Sequence, residues 1–378
     1  MPRAHIVNKI KIIESSRVAQ LRGIFDLKKE KTSEENYDVD LPLDEKPWNI
    51  GLIVGPSGSG KSSIARELFG DDLISEFDWP PNKSIIDAFQ PNLGIKEIVM
   101  ALSSVGFGSP PNWLRPFSVL SNGEKFRATI ARAMCESGDL IVIDEFTSVV
   151  DRTVAKISSA AVAKAIRRGK KKLIAVTCHH DVTRWLDPDW VYDTGVHALK
   201  WRRLRGRPKI RLHIQRVDKA IWRVFRRHHY LNTSLAISAR CFLVTIDGEP
   251  AAFSAVMSFP NKKPAWREHR TVTLPDFQGV GVGNALSEYV AALYAATGRR
   301  FISTTSHPAM ISHRARSHLW KIIRKSSRVL SPSKSSTIPS FTKNNASSNR
   351  LTMGFLYVGP SLEREKAMKF GILPSKET

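Results

Sequence analysis

Cysteine is scarce. Cys135, Cys178 and Cys241 are the only three in 378 residues, and no two share a paired spacing. A disulfide-stapled secreted fold is excluded on that count, and reduced thiols point to an intracellular, cytoplasmic protein. Long apolar runs are missing too. None approaches the ~18–20 residues that a spanning helix needs, so the expectation is a chain outside the membrane. The opening thirteen residues are broken by Arg3, Lys9 and Lys11; they read as a first strand and not as a secretory signal. Acidic residues are sparse in one part of the chain only. Residues 1–195 hold 26 Lys and Arg against 26 Asp and Glu, whereas residues 196–378 hold 32 against 9. The whole excess of +23 lies in the second part, where it predicts a polyanionic partner, DNA or RNA.

What is present is most explicit at Gly55-Pro56-Ser57-Gly58-Ser59-Gly60-Lys61-Ser62-Ser63. Apolar residues over 50–54 read as a strand and 64–68 as a helix, the strand–loop–helix order of a phosphate-binding P-loop. Glycines let the backbone turn its N–H groups toward a triphosphate, and the following helix N-terminus favours negative charge. Lys61 is expected to reach the β/γ-phosphates and Ser62 to ligate Mg²⁺. Leu140-Ile141-Val142-Ile143-Asp144-Glu145 reads as a buried strand ending in two carboxylates. Asp144 would hold the Mg²⁺ through water and Glu145 would polarise the attacking water.

Leu120-Ser121-Asn122-Gly123-Glu124-Lys125 precedes that strand, Ser148-Val149-Val150-Asp151 follows it, and His179-His180 lies past a strand at 173–177. In this order the set resembles the ABC ATPase superfamily over about residues 5–195: Walker A, signature, Walker B, D-loop and H-switch. The resemblance implies an ATP- and Mg²⁺-dependent hydrolase. Gln90 would be the Q-loop residue, a Mg²⁺ ligand beside Ser62 and Asp144, although it stands close to Lys61 in sequence. The switch would be His179 or His180, and the adenine-stacking aromatic Phe25 or Tyr37. With one cassette per chain, the resemblance also implies a homodimer in which Ser121 and Gly123 complete the partner's site. Asn122 stands where the family's signature has glycine; asparagine tolerates left-handed backbone angles. About thirty residues separate Gln90 from Leu120, little room for the helical subdomain that grips a transporter.

A length of 378 residues predicts two or three domains. The break is expected at a basic connector, 196–208, where Lys200, Arg202, Arg203, Arg205 and Arg207 crowd a Gly/Pro-containing stretch ahead of Lys209. Beyond it, a strand at 269–274 and Pro275-Asp276-Phe277 lead to Gln278-Gly279-Val280-Gly281-Val282-Gly283, followed by a helix over 284–297. Alternate glycines at a helix start again make a nest of donors for a pyrophosphate. A dinucleotide fingerprint fits poorly, because Asn284 occupies its third glycine and no acid follows over 299–307. The loop is similar instead to that of the GNAT acetyltransferases. The surrounding order agrees: strand 209–217, helix 218–229, a hairpin of 240–247 and 250–259, strand 300–305, helix 309–325 and strand 351–358.

The expected fold class is therefore α/β: an ABC-type P-loop ATPase over 1–195, followed by a GNAT-fold α+β acyltransferase over 209–360. A basic, serine-rich insertion at 326–350 interrupts the second domain, and 361–378 is left as a tail. The GNAT resemblance implies acetyl-CoA held by Gln278, Gly279, Val280, Gly281, Val282 and Gly283. Glu268 stands where the family often keeps its general base, with His228, His229 and His269 as alternatives; the helix expected at 309–325 has no tyrosine to protonate the thiolate. The combination resembles a family of ABC-type ATPases fused to a predicted acetyltransferase. His228-His229-Tyr230-Leu231 and Arg267-Glu268-His269-Arg270 look, more loosely, like phage Mom-type DNA-modification proteins. Trp201, Trp222, Tyr230, Trp266 and Trp320, interleaved with basic residues, offer base-stacking candidates. The function this implies is an ATPase coupled to acylation of nucleic acid. The competing readings are an ATP-gated protein acetyltransferase and a non-catalytic DNA-binding ATPase of the repair or chromosome-maintenance type.

Overall fold

A computed structural model describes residues 3–26, 28, 32–74, 76–202, 210–229, 234–260, 264–328 and 351–374. Arg203, Arg205, Arg207 and Lys209 of the connector, Tyr230 and Leu231, most of the serine-rich insertion and the last four residues of the tail lie outside them. The chain forms two compact units, Met1–Asp78 with Arg132–Pro208, and Trp79–Ala131 with Lys209–Thr378. The first unit thus takes in the whole of the expected connector, 196–208. Residues 79–131, which carry the signature, belong to the second.

The first unit is built on a six-stranded sheet in the order Leu73–Ile74, Leu140–Ile143, Lys172–Thr177, Ile50–Val54, Trp190–Asp193 and Ala198–Trp201. The first five run parallel and the last antiparallel. Ile50–Val54 is buried throughout, as a central parallel strand covered on both faces should be. Helix Lys61–Phe69 buries Ile64 and Ala65 against Ile53, Val142, Ile174 and Val176. Gly51 is required by packing: a Cβ there would fall 2.1 Å from the Trp190 ring of the paired strand. Asp189 fixes the strand's start, accepting from the N–H groups of Asn49 at 2.7 Å and Ile50 at 2.9 Å while pairing with Arg167. The expected first strand is Arg3–Lys11, paired antiparallel with Thr32–Asp40.

The second unit holds a seven-stranded sheet in the order Trp320–Arg328, Leu351–Tyr357, Arg300–Thr305, Ala265–Thr273, Glu249–Phe259, Arg240–Ile246 and His213–Val217. Neighbours are antiparallel except Ala265–Thr273 and Arg300–Thr305. Among the described residues, that parallel register stops at Arg267↔Ile302. Helix Val282–Ala295 buries Leu286, Val290 and Leu293 completely, and its Tyr294 packs on Phe242, Trp266 and Phe301. Trp222 and Phe225 pack against Cys241, Leu243, Phe253 and Val272. Residues 79–131 contribute helices Ile95–Ser104 and Pro110–Trp113 and the start of helix Asn122–Glu136.

Two expectations need correction. The helix expected at 309–325 is a shorter helix, Pro308–Arg316, followed by the strand Trp320–Arg328. Trp320 and the isoleucines after it, Ile322 and Ile323, favour a strand over a helix, and pairing with Leu351–Tyr357 lets them form one. The serine-rich insertion therefore begins inside a strand. Within the expected tail, helix Arg364–Lys369 buries Ala367, and Leu362 N–H donates to Ala292 O. The helix expected at 218–229 is a succession of short turns, Lys219–Ile221, Trp222–Phe225 and Arg226–His228.

Candidate functional site

The first site lies at the carboxyl ends of three neighbouring strands, where ligands of open parallel sheets bind. Ile50–Val54 delivers the P-loop, Leu140–Ile143 delivers Asp144 and Glu145, and Lys172–Thr177 delivers His179 and His180. Gly58 and Gly60 adopt left-handed angles, φ +79° and +76°, and Gly60 caps helix Lys61–Phe69 with no side-chain partner. Lys61 Nζ donates to Pro56 O at 2.5 Å, arching over the loop. The loop is tightly backed: a Cβ on Gly55 would fall 2.1 Å from Thr194 Oγ1. Ser59 Oγ lies 2.5 Å from that same hydroxyl. Thr194 was not foreseen, for a Thr-Gly pair after a strand carries no motif. A loop of glycines closed from behind and led into an uncapped helix fits a nucleotide triphosphate, with Ser62 and Asp144 as the groups to hold Mg²⁺.

Glu145 is exposed and sits at φ +50°, with Thr147 at φ +65°. Left-handed angles at non-glycine residues cost ~1–3 kcal/mol each and collect where function demands them. The strained turn is held by Phe146 N–H donating to Val176 O at 2.8 Å and by Glu145 N–H donating to Asp144 Oδ1 at 2.8 Å. His179 is half-buried, its N–H donating to Thr177 Oγ1 at 3.2 Å, and His180 is exposed. Asp181 next to them is gripped by Arg152, whose Nε donates to Asp181 Oδ2 at 3.0 Å; Arg152 follows the D-loop Asp151, which caps helix Arg152–Ile166. Phe25 is exposed at the end of helix Ser16–Phe25; the Tyr37 side chain is outside the described residues.

Gln90, Ser121 and Gly123 belong to the second unit. Gln90 is exposed in a turn, accepting from Leu93 N–H at 3.0 Å. The signature forms a capping box. Ser121 N–H donates to Glu124 Oε2 at 3.1 Å, and Glu124 N–H donates to Ser121 Oγ at 3.4 Å. Asn122 is the first helical residue of Asn122–Glu136 and is not among the residues with positive φ. Its tolerance of left-handed angles is not used.

The glycine loop of the second part turns strand Ala265–Thr273 into helix Val282–Ala295. Gly279 and Gly281 have φ +88° and +97°. A Cβ on Gly281 would meet nothing within 4 Å, whereas one on Gly283 would fall 2.6 Å from Thr273 Oγ1. Gly281 caps the helix with no side-chain bond and has open space beside it at the helix start, where a pyrophosphate could approach the backbone N–H groups. The Gln278 side chain is engaged elsewhere: Gly108 N–H donates to its Oε1 at 2.6 Å, and its Nε2 donates to Thr273 O at 2.8 Å.

Glu268 does not have the surroundings of a general base. Its side chain is 5% exposed and paired at 2.9 Å with Arg314, itself 1% exposed. Hydroxyls of Thr271 and Ser287 donate to one carboxylate oxygen, each at 2.7 Å, and that of Ser303 to the other at 2.5 Å. Burial alone would push this carboxyl up, but Arg314 and the hydroxyls of Ser303, Ser287 and Thr271 together hold it below its ordinary value. A fully bonded carboxylate with a lowered pKa is a poor proton acceptor. Arg314 escaped the sequence reading because a lone arginine on a polar helix looks like a solvated one.

Among the histidines, the register shift in strand Ala265–Thr273 makes His269 the extra residue between Glu268 and Arg270. Burial first, then the charges of Arg270, Arg267 and His229, lower its pKa to about 4, and its Nε2 accepts from Ala236 N–H at 3.2 Å. His228 is likewise lowered, by burial and then by Arg227, against the opposing pull of Glu124. His229 packs its ring edge-on against Trp222. Of the stacking candidates, Trp222, Trp266 and Trp320 are core residues, and Trp201 is partly buried against the first unit's core.

No family model matches the chain. The manganese transport system ATP-binding protein MntB of Bacillus subtilis (strain 168) is 24% identical over 191 residues, 40% of this chain and 74% of that protein. The aliphatic sulfonates import ATP-binding protein SsuB 2 of Paracoccus denitrificans (strain Pd 1222) is 31% identical over 165 residues, 38% of this chain and 64% of that protein, just under two thirds of its length. Among solved structures, the dimeric bacterial ABC transporter cassette MJ0796 is 17% identical at a TM-score of 0.37, covering 47% of this chain and 94% of that one. Among the described residues no helix is long and apolar enough to cross a membrane. The ordered motifs and the two relatives support an ABC-type nucleotide-binding cassette in the first part of the chain.

Proposed function

We propose that the chain is an ATPase coupled to an acetyl-CoA-dependent acyltransferase that modifies nucleic acid. In the first site Lys61 and the P-loop N–H groups hold the triphosphate, Ser62 and Asp144 serve the Mg²⁺, and Glu145 polarises the attacking water. His179 or His180 reads the γ-phosphate. The names of both relatives include ATP binding, which supports ATP as the nucleotide. Because a single chain carries one P-loop and one signature, Ser121 and Gly123 act on the nucleotide of a second copy.

One observation carries the acyltransferase half. The parallel pairing of strands Ala265–Thr273 and Arg300–Thr305 ends at Arg267↔Ile302, and the strand then bulges at His269 and turns through Gly279 and Gly281 into a helix N-terminus. A diverging strand pair beside a phosphate-binding nest accommodates a long cofactor with a pyrophosphate, and bulges recur next to active sites. When bound, acetyl-CoA would supply an activated acyl group for attack by an amine, the amide bond forming as the thioester C–S bond breaks and CoA leaves as its thiol. Glu268 is taken up by Arg314 and three hydroxyls, so the amine's proton falls to one of the histidines His228, His229 and His269. Of these, His228 and His269 each already accept an N–H hydrogen bond at Nε2, from Arg227 Nε and Ala236 N–H. The excess positive charge of residues 196–378 favours a polyanionic substrate. A target base would have to be single-stranded or flipped out of a duplex, which gives the ATPase a task.

Calorimetry with acetyl-CoA tests the cofactor. Gly281→Val should abolish binding, since a branched side chain is strained at φ +97° and fills the space the pyrophosphate needs, while ATP binding persists. Unchanged acetyl-CoA affinity in that variant returns the second part to a non-catalytic role.

A further inference from the structure

Within the second unit, residues 79–131 are bonded directly to the glycine turn. Gly108 N–H donates to Gln278 Oε1 at 2.6 Å, and His307 Nε2 lies 3.2 Å from Gly108 O. Gly106, at φ +89°, abuts the same residue so closely that a Cβ would fall 2.5 Å from Gln278 O. Arg127, 0% exposed, donates from Nη2 to Asp276 O at 3.1 Å, two residues before Gln278.

The same segment carries the signature, and hydrogen bonds run from one to the other. Ser121 N–H and Oγ each donate to Glu124 Oε2 at 3.1 Å, and Asn112 Nδ2 donates to Glu124 Oε1 at 2.5 Å. Asn112 lies on helix Pro110–Trp113, and Trp113 Nε1 donates to Phe107 O at 2.9 Å, adjacent to Gly108. A second route is shorter. Arg127 sits on helix Asn122–Glu136, about one turn beyond Gly123. Shifting Ser121 and Gly123 onto a nucleotide must therefore either carry the 275–283 turn along or break the hydrogen bonds from Arg127 to Asp276 O and from Gly108 N–H to Gln278 in a part-buried setting. Breaking a hydrogen bond of a buried guanidinium is the costlier course.

We propose that the signature-bearing segment is the coupling element of this protein, with Arg127 and Gln278 as positioning residues. Nucleotide engaged by Ser121 and Gly123 is felt at the glycine turn, so ATP and acetyl-CoA change each other's affinity by one common factor. The proposal rests on the two-ligand function argued above. It also gives Gln278 a role its occupied side chain otherwise lacks: its two hydrogen bonds join Gly108 to the strand that feeds the turn.

The test uses the full-length Glu145→Gln protein, which is expected to keep its ATP. Acetyl-CoA affinity is measured by calorimetry with and without ATP and Mg²⁺, and hydrogen exchange is followed over 275–283. The expected result is a shift of about fivefold or more in the acetyl-CoA Kd, with altered protection of the turn. In Arg127→Lys and in Gln278→Met, each added to Glu145→Gln and each checked for retained ATP binding, the shift should shrink toward nothing. If Arg127→Lys fails to fold, Gln278→Met decides. Equal affinity in both nucleotide conditions, or a full shift surviving in both variants, overturns the coupling while leaving the cofactor assignment standing. If acetyl-CoA binds in neither condition, the cofactor assignment fails, and exchange over the turn decides the coupling alone: protection unaltered by ATP overturns it.

Discussion

Glu268 and Arg314 illustrate how burial decides a residue's role. The pair is nearly inaccessible and shares its hydrogen bonds with Ser287 and Ser303. Glu268→Gln should therefore destabilise the protein by about 3–5 kcal/mol, because Arg314 is left charged and buried; a general base lost from an open site would instead cost activity with little change in Tm. The lowered Glu268 pKa means its stabilisation is full above the unfolded carboxylate value and lost as pH falls through the folded one. His269 acts at higher pH. Lowered from 6.5 to about 4, it is neutral in the fold while the unfolded chain takes up a proton, so stability declines as pH falls from about 6.5 to about 4. Denaturant titrations across that window should show a shallower decline for His269→Gln than for the wild-type. At the nucleotide, Lys61→Ala should abolish binding, whereas Glu145→Gln should bind ATP, stop turnover and accumulate a dimer; a Glu145→Gln protein that sediments as a monomer at saturating ATP and Mg²⁺ contradicts the shared site.

Elements with a local signal were legible in the sequence. Strand Ile50–Val54 and the turn into Lys61–Phe69 follow from an apolar run closed by glycines, and the hairpin Arg240–Ile246 with Glu249–Phe259 follows from two apolar runs around Asp247-Gly248. What was not legible depends on partners distant in the chain. Residues 320–328 form a strand because Leu351–Tyr357 lies beside them. Arg127 and Arg314 are buried because Asp276 O and Glu268 receive them. Gly51, Gly106 and Gly108 are small because Trp190 and Gln278 press on them. None of these contacts leaves a mark in the residues nearby. Ser121-Asn122-Gly123-Glu124 could have been read as a capping box from its spacing alone, which would have foreseen Glu124 holding Ser121.

For the whole molecule, charge and architecture divide differently. The first 195 residues are neutral and the remainder carries +23, yet the signature segment packs with the basic part. Polynucleotide binding by the full chain should fall linearly on a logarithmic salt scale, with a slope set by the number of phosphates neutralised; affinity independent of salt would separate the charge from the substrate. Under the proposed coupling, a nucleotide-bound dimer would act on its two glycine turns together. The most direct measurement is nucleoside mass spectrometry after incubating the protein with isotope-labelled acetyl-CoA and DNA or tRNA, with and without ATP and Mg²⁺. The account predicts a labelled acylated nucleoside that depends on ATP and disappears in Gly281→Val. Label on a protein lysine with none on nucleic acid would contradict it.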